Sequence, residues 1–121
     1  MSKIFFLDDE LENCHITERF FVSEGHEFKY ETDPRNFLAV YENENPDLVM
    51  IDTNLGGDID GVQVLSQLRN NNYNGAKIIM LAGFFKAEDH RTESIRLGAD
   101  DFIVKPIEPN ILAQKVGALL K

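Results

Sequence analysis

Residues 48–54 read LVMIDTN. Leu48 to Ile51 are apolar without interruption, so neither face of an extended segment here is polar, as expected of a strand covered on both sides of a parallel sheet. Asp52 ends the run, followed by Thr53 and Asn54. The pattern repeats outward. Ile4 to Leu7 lead into Asp8, Asp9 and Glu10 (FFLDDE, 5–10), Lys77 to Ala82 contain IIML (78–81) and run into Gly83, and Asp101 to Val104 lead into Lys105 and Pro106 within GADDFIVKP (98–106). A weaker run, Glu27 to Glu31, alternates Phe28 and Tyr30 with charges. That alternation belongs to an edge strand, so the second strand is predicted to lie outside the others.

Helix signals fill the gaps, giving a βα repeat of five and predicting a parallel α/β fold. Asp33 before Pro34 marks a helix start, because an Asp N-cap accepts backbone N–H bonds and proline at the first helical position forgoes only a donor that would go unused. Phe37 and Tyr41 then share a face. Val62, Leu65 and Leu68 mark the third helix, ended by the polar tract Asn70 to Gly75, whose Asn74-Gly75 pair signals a turn. Leu112, Val116 and Leu119 mark the last. The fourth helix, from about Lys86 to Leu97, offers only Ala87, Ile95 and Leu97 as apolar anchors before Gly98 as its C-cap, and is expected to dock least firmly.

At 121 residues the chain has the length of one domain, 1–121, with one ordinary core. The net charge of −9 and the scattered Lys and Arg argue against direct nucleic-acid binding and for protein partners. Cys14 is the lone cysteine, so no internal disulfide forms, and it reads as a small buried hydrophobe on the first helix. The opening MSKIFFLDDE has too short an apolar run for a signal peptide, and no segment is apolar for long enough to span a membrane. The expectation is a cytoplasmic protein. Phe20 and Phe21 are expected in the core, while His15, His26 and His90 lack ligand spacing and receive no role.

The carboxyl ends of strands in such a sheet open onto one crevice, where residues distant in sequence can surround a small ligand. Asp8, Asp9, Asp52 and Lys105 all fall just past strands one, three and five. Two carboxylates about 4 Å apart repel by roughly 4 kcal/mol at an effective dielectric near 20, so the cluster calls for a neutralising proton or metal. Mg²⁺ would take oxygens from Asp9 and Asp52, with Asp8 holding a coordinated water. Asp52 could then act as a nucleophile toward phosphorus, and Lys105 would balance the charge of the transferred group. Taken singly, each residue has a plainer reading. The acidic triplet could cap the first helix, Asp52 could start an Asx turn, and Lys105 could be a solvated charge. Their joint position at three strand ends favours the site.

These segments, FFLDDE, LVMIDTN, IIML and GADDFIVKP, resemble the receiver domain of two-component response regulators over essentially the whole chain. The resemblance implies a five-stranded parallel sheet, doubly wound in the flavodoxin-like manner, with five flanking helices. It implies that Asp52 is the phosphoacceptor, that Asp8 and Asp9 are the acidic pair, that Lys105 is the active-site lysine, and that the backbone carbonyl of Asn54 completes the Mg²⁺ site. Phe102 falls at the aromatic switch position, and the Lys105-Pro106 peptide is expected to be cis. The implied phosphodonor is a histidine kinase or histidine phosphotransfer protein. The output is a changed surface on the fourth helix, fifth strand and fifth helix, offered to an unknown downstream protein.

Two departures stand out. The family places Thr or Ser where this chain has Ala82, which removes a hydroxyl that normally turns toward the phosphoryl group. After Asp52 the chain has Gly56-Gly57-Asp58 where the family pattern has proline, and Gly61 falls one residue late, which predicts a looser loop over the metal. The alternative to a phosphorylated switch is therefore a degenerate receiver that binds partners without phosphorylation. An Asp-nucleophile Mg²⁺ phosphatase would need a cap or substrate pocket that this length hardly accommodates, so turnover of a separate substrate is not expected. A flavin mononucleotide module shares the topology, but the acidic triplet would repel its phosphate.

Overall fold

A computed structural model of the chain describes residues 2–70, 76–83 and 87–121. Strands and helices alternate: β1 (Lys3–Leu7), α1 (Leu11–Ser23), β2 (Glu27–Glu31), α2 (Pro34–Glu44), β3 (Leu48–Asp52), α3 (Gly61–Asn70), β4 (Lys77–Ala82), α4 (Ala87–Arg96), β5 (Asp101–Val104) and α5 (Pro109–Leu119). All pairings are parallel and the order is β2-β1-β3-β4-β5, so β2 is an edge as its charged alternation predicts. The chain leaves β1 toward one side for β2 and returns to the other for β3. A doubly wound sheet opens its crevice at that reversal. In register, Leu7 lies beside Ile51, Asp52 beside Leu81, and Ala82 beside Val104. The residues after these positions therefore meet at one edge.

Alternate strand residues feed two cores. Phe5, Leu7, Val49, Ile51, Ile78, Met80 and Phe102 pack with Phe37 and Tyr41 of α2 and Leu65 and Leu68 of α3 on one face. Ile4, Phe6, Leu48, Met50, Ile79, Leu81 and Ile103 pack with Cys14 and Phe21 of α1 and Leu112 and Val116 of α5 on the other. Because both faces are covered, every residue of β3 is buried, which is why LVMI reads as unbroken apolar sequence. Each such large side chain contributes about 1.5–3 kcal/mol relative to exposure. Phe5 and Phe37 stack with ring centroids 4.4 Å apart, fixing α2 to β1.

Local signals account for the helix ends. The Asp33 carboxylate accepts from the Arg35 amide at 2.9 Å, and Pro34 opens α2. Past α4, the Gly98 and Ala99 amides donate to Ile95 and Ser94 carbonyls, so Gly98 closes the helix as expected. The face of α4 differs from the sequence expectation. Ala87 is buried and Leu97 packs against the first core, but Ile95 is 51% exposed and Ser94 turns inward instead. Ala87 and Ser94 are seven residues apart, two helical turns, whereas Ile95 stands a further step round the axis. Phe20 is half-buried against the second core, while Phe21 lies inside it. The Asn74-Gly75 turn and the Lys86 start of α4 fall outside the described residues.

Candidate functional site

Asp8, immediately past β1, is fully buried. Its Oδ1 accepts from the Glu10 amide at 2.9 Å, its Oδ2 accepts from Asn13 Nδ2 at 3.3 Å, and Lys105 Nζ stands 3.5 Å from Oδ2. Asp9 and Glu10 are exposed, yet each presents an oxygen that, with one from Asp8, lies within 4.8 Å of the others. This all-oxygen anionic set suits a hard divalent cation. The helix-cap reading of the triplet also has substance, since Asp8 engages the backbone at the entry to α1, where Glu10 makes no side-chain cap.

Asp52 ends β3 and is 4% exposed. Oδ1 accepts from the Asn54 amide at 3.0 Å, the Asx turn foreseen in the sequence, and Oδ2 accepts from Lys105 Nζ at 2.5 Å. The turn and the ion pair coexist, one on each oxygen. Burial pushes the Asp52 carboxyl above its ordinary value, and the Asp8 charge adds to this; the Lys105 ammonium and the Asn54 amide offset it only in part. Burial alone would pull the Lys105 ammonium down, but Asp52 and then Asp8 outweigh that, and Lys105 ends raised. The lysine is thus held as a cation among carboxylates.

Backbone contacts place these groups. The Lys105 amide donates to the Ala82 carbonyl at 2.8 Å, so residue 82 positions the lysine through its main chain. The Lys105-Pro106 peptide is cis, as expected. Gly61 opens α3 against the strand end: a Cβ there would collide with the Asp52 carbonyl oxygen and lie 2.7 Å from Thr53 Cα. Gly56 adopts φ +70°, and a Cβ on it would come within 2.8 Å of Asp9 Oδ2. The loop therefore passes directly over the acidic group, where only glycine fits without strain. Asn54 is exposed, with its side-chain oxygen accepting from the Gly56 amide at 3.3 Å.

Ala82 is fully buried in the first core and Phe102 is 2% exposed, its ring turned inward under the Arg91 guanidinium at 5.1 Å. One contact has no counterpart in the sequence reading. His90 Nδ1 and Thr53 Oγ1 share a hydrogen bond of 2.7 Å between α4 and the residue following Asp52. Nothing in the spacing of residues 53 and 90 signals this pairing. In the sequence Glu10 is the third member of the acidic triplet, and its adjacency to Asp8-Asp9 is its signal for a place beside them. Cys14 is buried as expected; burial first, then the Asp8 and Asp9 charges, push its thiol up to about 12.

The domain is doubly wound, with an aspartate and a lysine paired at the carboxyl edge of the sheet and a group of carboxylates past β1. Residues 4–117 match the family model described as response regulator receiver domain, and the chain belongs to that family, the receivers of two-component systems. It is 33% identical over 120 residues to a probable transcriptional regulator, ycf27, of Cyanophora paradoxa, covering 99% of this chain and 48% of the relative. It is 33% identical over 121 residues to the regulatory protein VanRc of Enterococcus gallinarum, covering 99% and 50%. The chain thus spans about half the length of these curated relatives. The crystal structure of a CheY-like response regulator receiver domain protein from Methanospirillum hungatei superposes with TM-score 0.90 at 28% identity, covering 99% of this chain and 94% of that one. No helix among the described residues is long and apolar enough to cross a membrane.

Proposed function

We propose that Asp52 accepts a phosphoryl group from a histidine kinase or histidine phosphotransfer protein, and that the modified domain presents an altered protein-binding surface. The observation that carries this reading is the buried Asp52–Lys105 pair at the end of β3, beside Asp8, Asp9 and Glu10. An Asp52 oxygen attacks phosphorus, an O–P bond forms, the donor's N–P bond breaks, and the imidazole leaves with the electron pair. Asp8, Asp9, Asp52 and the Asn54 carbonyl would hold Mg²⁺, which supplies charge neutralisation to the phosphoryl oxygens. Lys105 turns its ammonium from the Asp52 carboxylate to the transferred group, keeping a cation within reach of the same oxygens.

The output surface of α4, β5 and α5 would meet a downstream protein, with no direct nucleic-acid contact from this acidic domain and no turnover of a separate substrate. Such signalling is cytoplasmic. One observation favours a second reading, a phosphorylation-independent interaction module: Ala82 offers no hydroxyl and Phe102 is already packed inward. Intact-mass measurement after incubation with acetyl phosphate, with and without Mg²⁺, separates the two. A gain of one phosphoryl group that needs Mg²⁺ and vanishes in Asp52→Asn is expected; an unmodified wild type would establish the second reading.

A further inference from the structure

We infer that the phosphorylation site of this chain is coupled to α4 through the Thr53–His90 hydrogen bond, with Arg91 extending the link to Phe102, in place of a side chain at residue 82. The inference rests on Asp52 being the phosphoacceptor. Thr53 is 1% exposed and follows Asp52 directly. Its backbone is clamped on both sides, the amide donating to Leu81 O at 2.8 Å and the carbonyl accepting from the Gly61 amide at 2.9 Å. The hydroxyl is therefore a fixed point on the strand end, and its partner belongs to a helix.

That helix is held in an unusual way. Its buried residues are Ala87 and Ser94, both small, and the Ser94 hydroxyl has no hydrogen-bond partner among the described residues. Ile95 faces solvent. Beyond its C-terminal end Arg69 donates to the Gly98 carbonyl, with Nε at 3.1 Å and a terminal nitrogen at 2.5 Å, and pairs with Asp100 at 3.3 Å. Toward its start the polar attachments are His90 to Thr53 and Arg91 to the Phe102 ring. Among the described residues of that half Ala87 is the buried apolar one, so the two adjacent side chains carry its polar docking, one reaching β3 and the other β5. Most buried hydroxyls are hydrogen-bonded. Here the partner lies on the element that must respond, and residue 82 supplies none.

The test follows backbone amide shifts at residues 87–104 on adding Mg²⁺ and beryllofluoride, a phosphoryl mimic, with shifts at 52–54 reporting binding itself. Thr53→Val, close in shape but without the hydroxyl, should bind the mimic yet lose at least about threefold of the response in α4 and β5, the scale of one net hydrogen bond. Thr53→Ser should restore it. His90→Leu, which removes the other partner of the bond and leaves every proposed metal ligand in place, should reproduce the loss, and the double variant should lose no more than either alone. Full responses in Thr53→Val and His90→Leu with the mimic bound would overturn the coupling and leave the proposed function intact. No binding by the wild type would overturn both.

Discussion

The two ends of the sheet use the same chemistry to opposite effect. At the amino end Lys3 Nζ lies 2.8 Å from Glu44 and 3.5 Å from Glu27, and the partners shift in the directions a favourable pair requires: Glu44 is lowered and Lys3 raised, each chiefly by their mutual hydrogen bond. At the carboxyl end Lys105 is as close to Asp52, yet the carboxyl is raised. Solvent makes the difference. Asp52 is buried beside the Asp8 charge, so its ionisation costs more than the lysine returns. An arrangement that is unfavourable alone becomes favourable when a further cation arrives, which is how a site differs from a strut.

The strongest way to break this comparison is Asp52→Asn. It should abolish modification by acetyl phosphate entirely, read by intact mass, because Asp8, the other carboxylate near Lys105, is fully buried with its two oxygens taken up by the Glu10 amide and Asn13. The same variant should melt higher than wild type in metal-free buffer at neutral pH. A carboxyl raised in the folded state binds its proton more tightly there, so wild-type stability falls as pH rises through the unfolded value and the penalty is full above the folded one. The advantage of Asn should therefore shrink as pH drops below the ordinary aspartate range.

Cys14 sharpens the contrast from beneath the site. Its thiol, buried and donating to the Asp8 carbonyl at 3.4 Å, is held at about 12 by burial and by the carboxylates above it. Alkylation at pH 8 should run at least about a thousandfold slower in the folded protein than in denaturant, since the thiolate is the nucleophile. A rate near that of the unfolded chain would show that α1 opens readily and that the site is less enclosed than its burial implies.

Mg²⁺ should raise the melting temperature of the wild type by mass action, about 2.7 kcal/mol at a hundredfold excess over Kd. Asp9→Ala should need at least about tenfold more Mg²⁺ for the same shift, because a hard cation bound through few carboxylates loses one. It should also melt slightly higher than wild type without metal, by relief of like charge. Equal Mg²⁺ titrations in the two proteins would remove Asp9 from the site.

How far these features could be read in advance follows from where each signal resides. Leu48 to Ile51 is legible because both its faces are covered, and Asp52 and Lys105 because each directly follows such a run. Phe28 and Tyr30 betray an edge for the converse reason. The face of α4 was not legible: Ala87, Ile95 and Leu97 are the apolar residues, but packing against the sheet sets the phase and puts Ser94 inside and Ile95 outside. The Thr53–His90 bond joins elements 37 residues apart and has no motif. The hold on Lys105 by the Ala82 carbonyl is a main-chain contact, which no side-chain pattern encodes.

The smallest effect belongs to the amino end. Glu44→Gln removes the nearer of the two carboxylates beside Lys3, leaving Glu27, at a site where both side chains of the pair remain partly in water, so the cost should be under about 1 kcal/mol. Its pH dependence carries the sign. Lowered in the fold, Glu44 contributes stability that is present above the ordinary glutamate value and lost as pH falls through its folded one; raised in the fold, Lys3 contributes stability present below the ordinary lysine value and lost as pH rises through its folded one. Wild type and Glu44→Gln should thus differ by a constant amount between roughly pH 5 and 10, and converge beyond either limit. Chemical denaturation at pH 3, 7 and 11 reads this directly. A gap that widened toward neutral pH as metal was added would mean that the two ends of the sheet are energetically linked, since Mg²⁺ at the carboxyl edge has no reason to strengthen an ion pair at the far end of the strands.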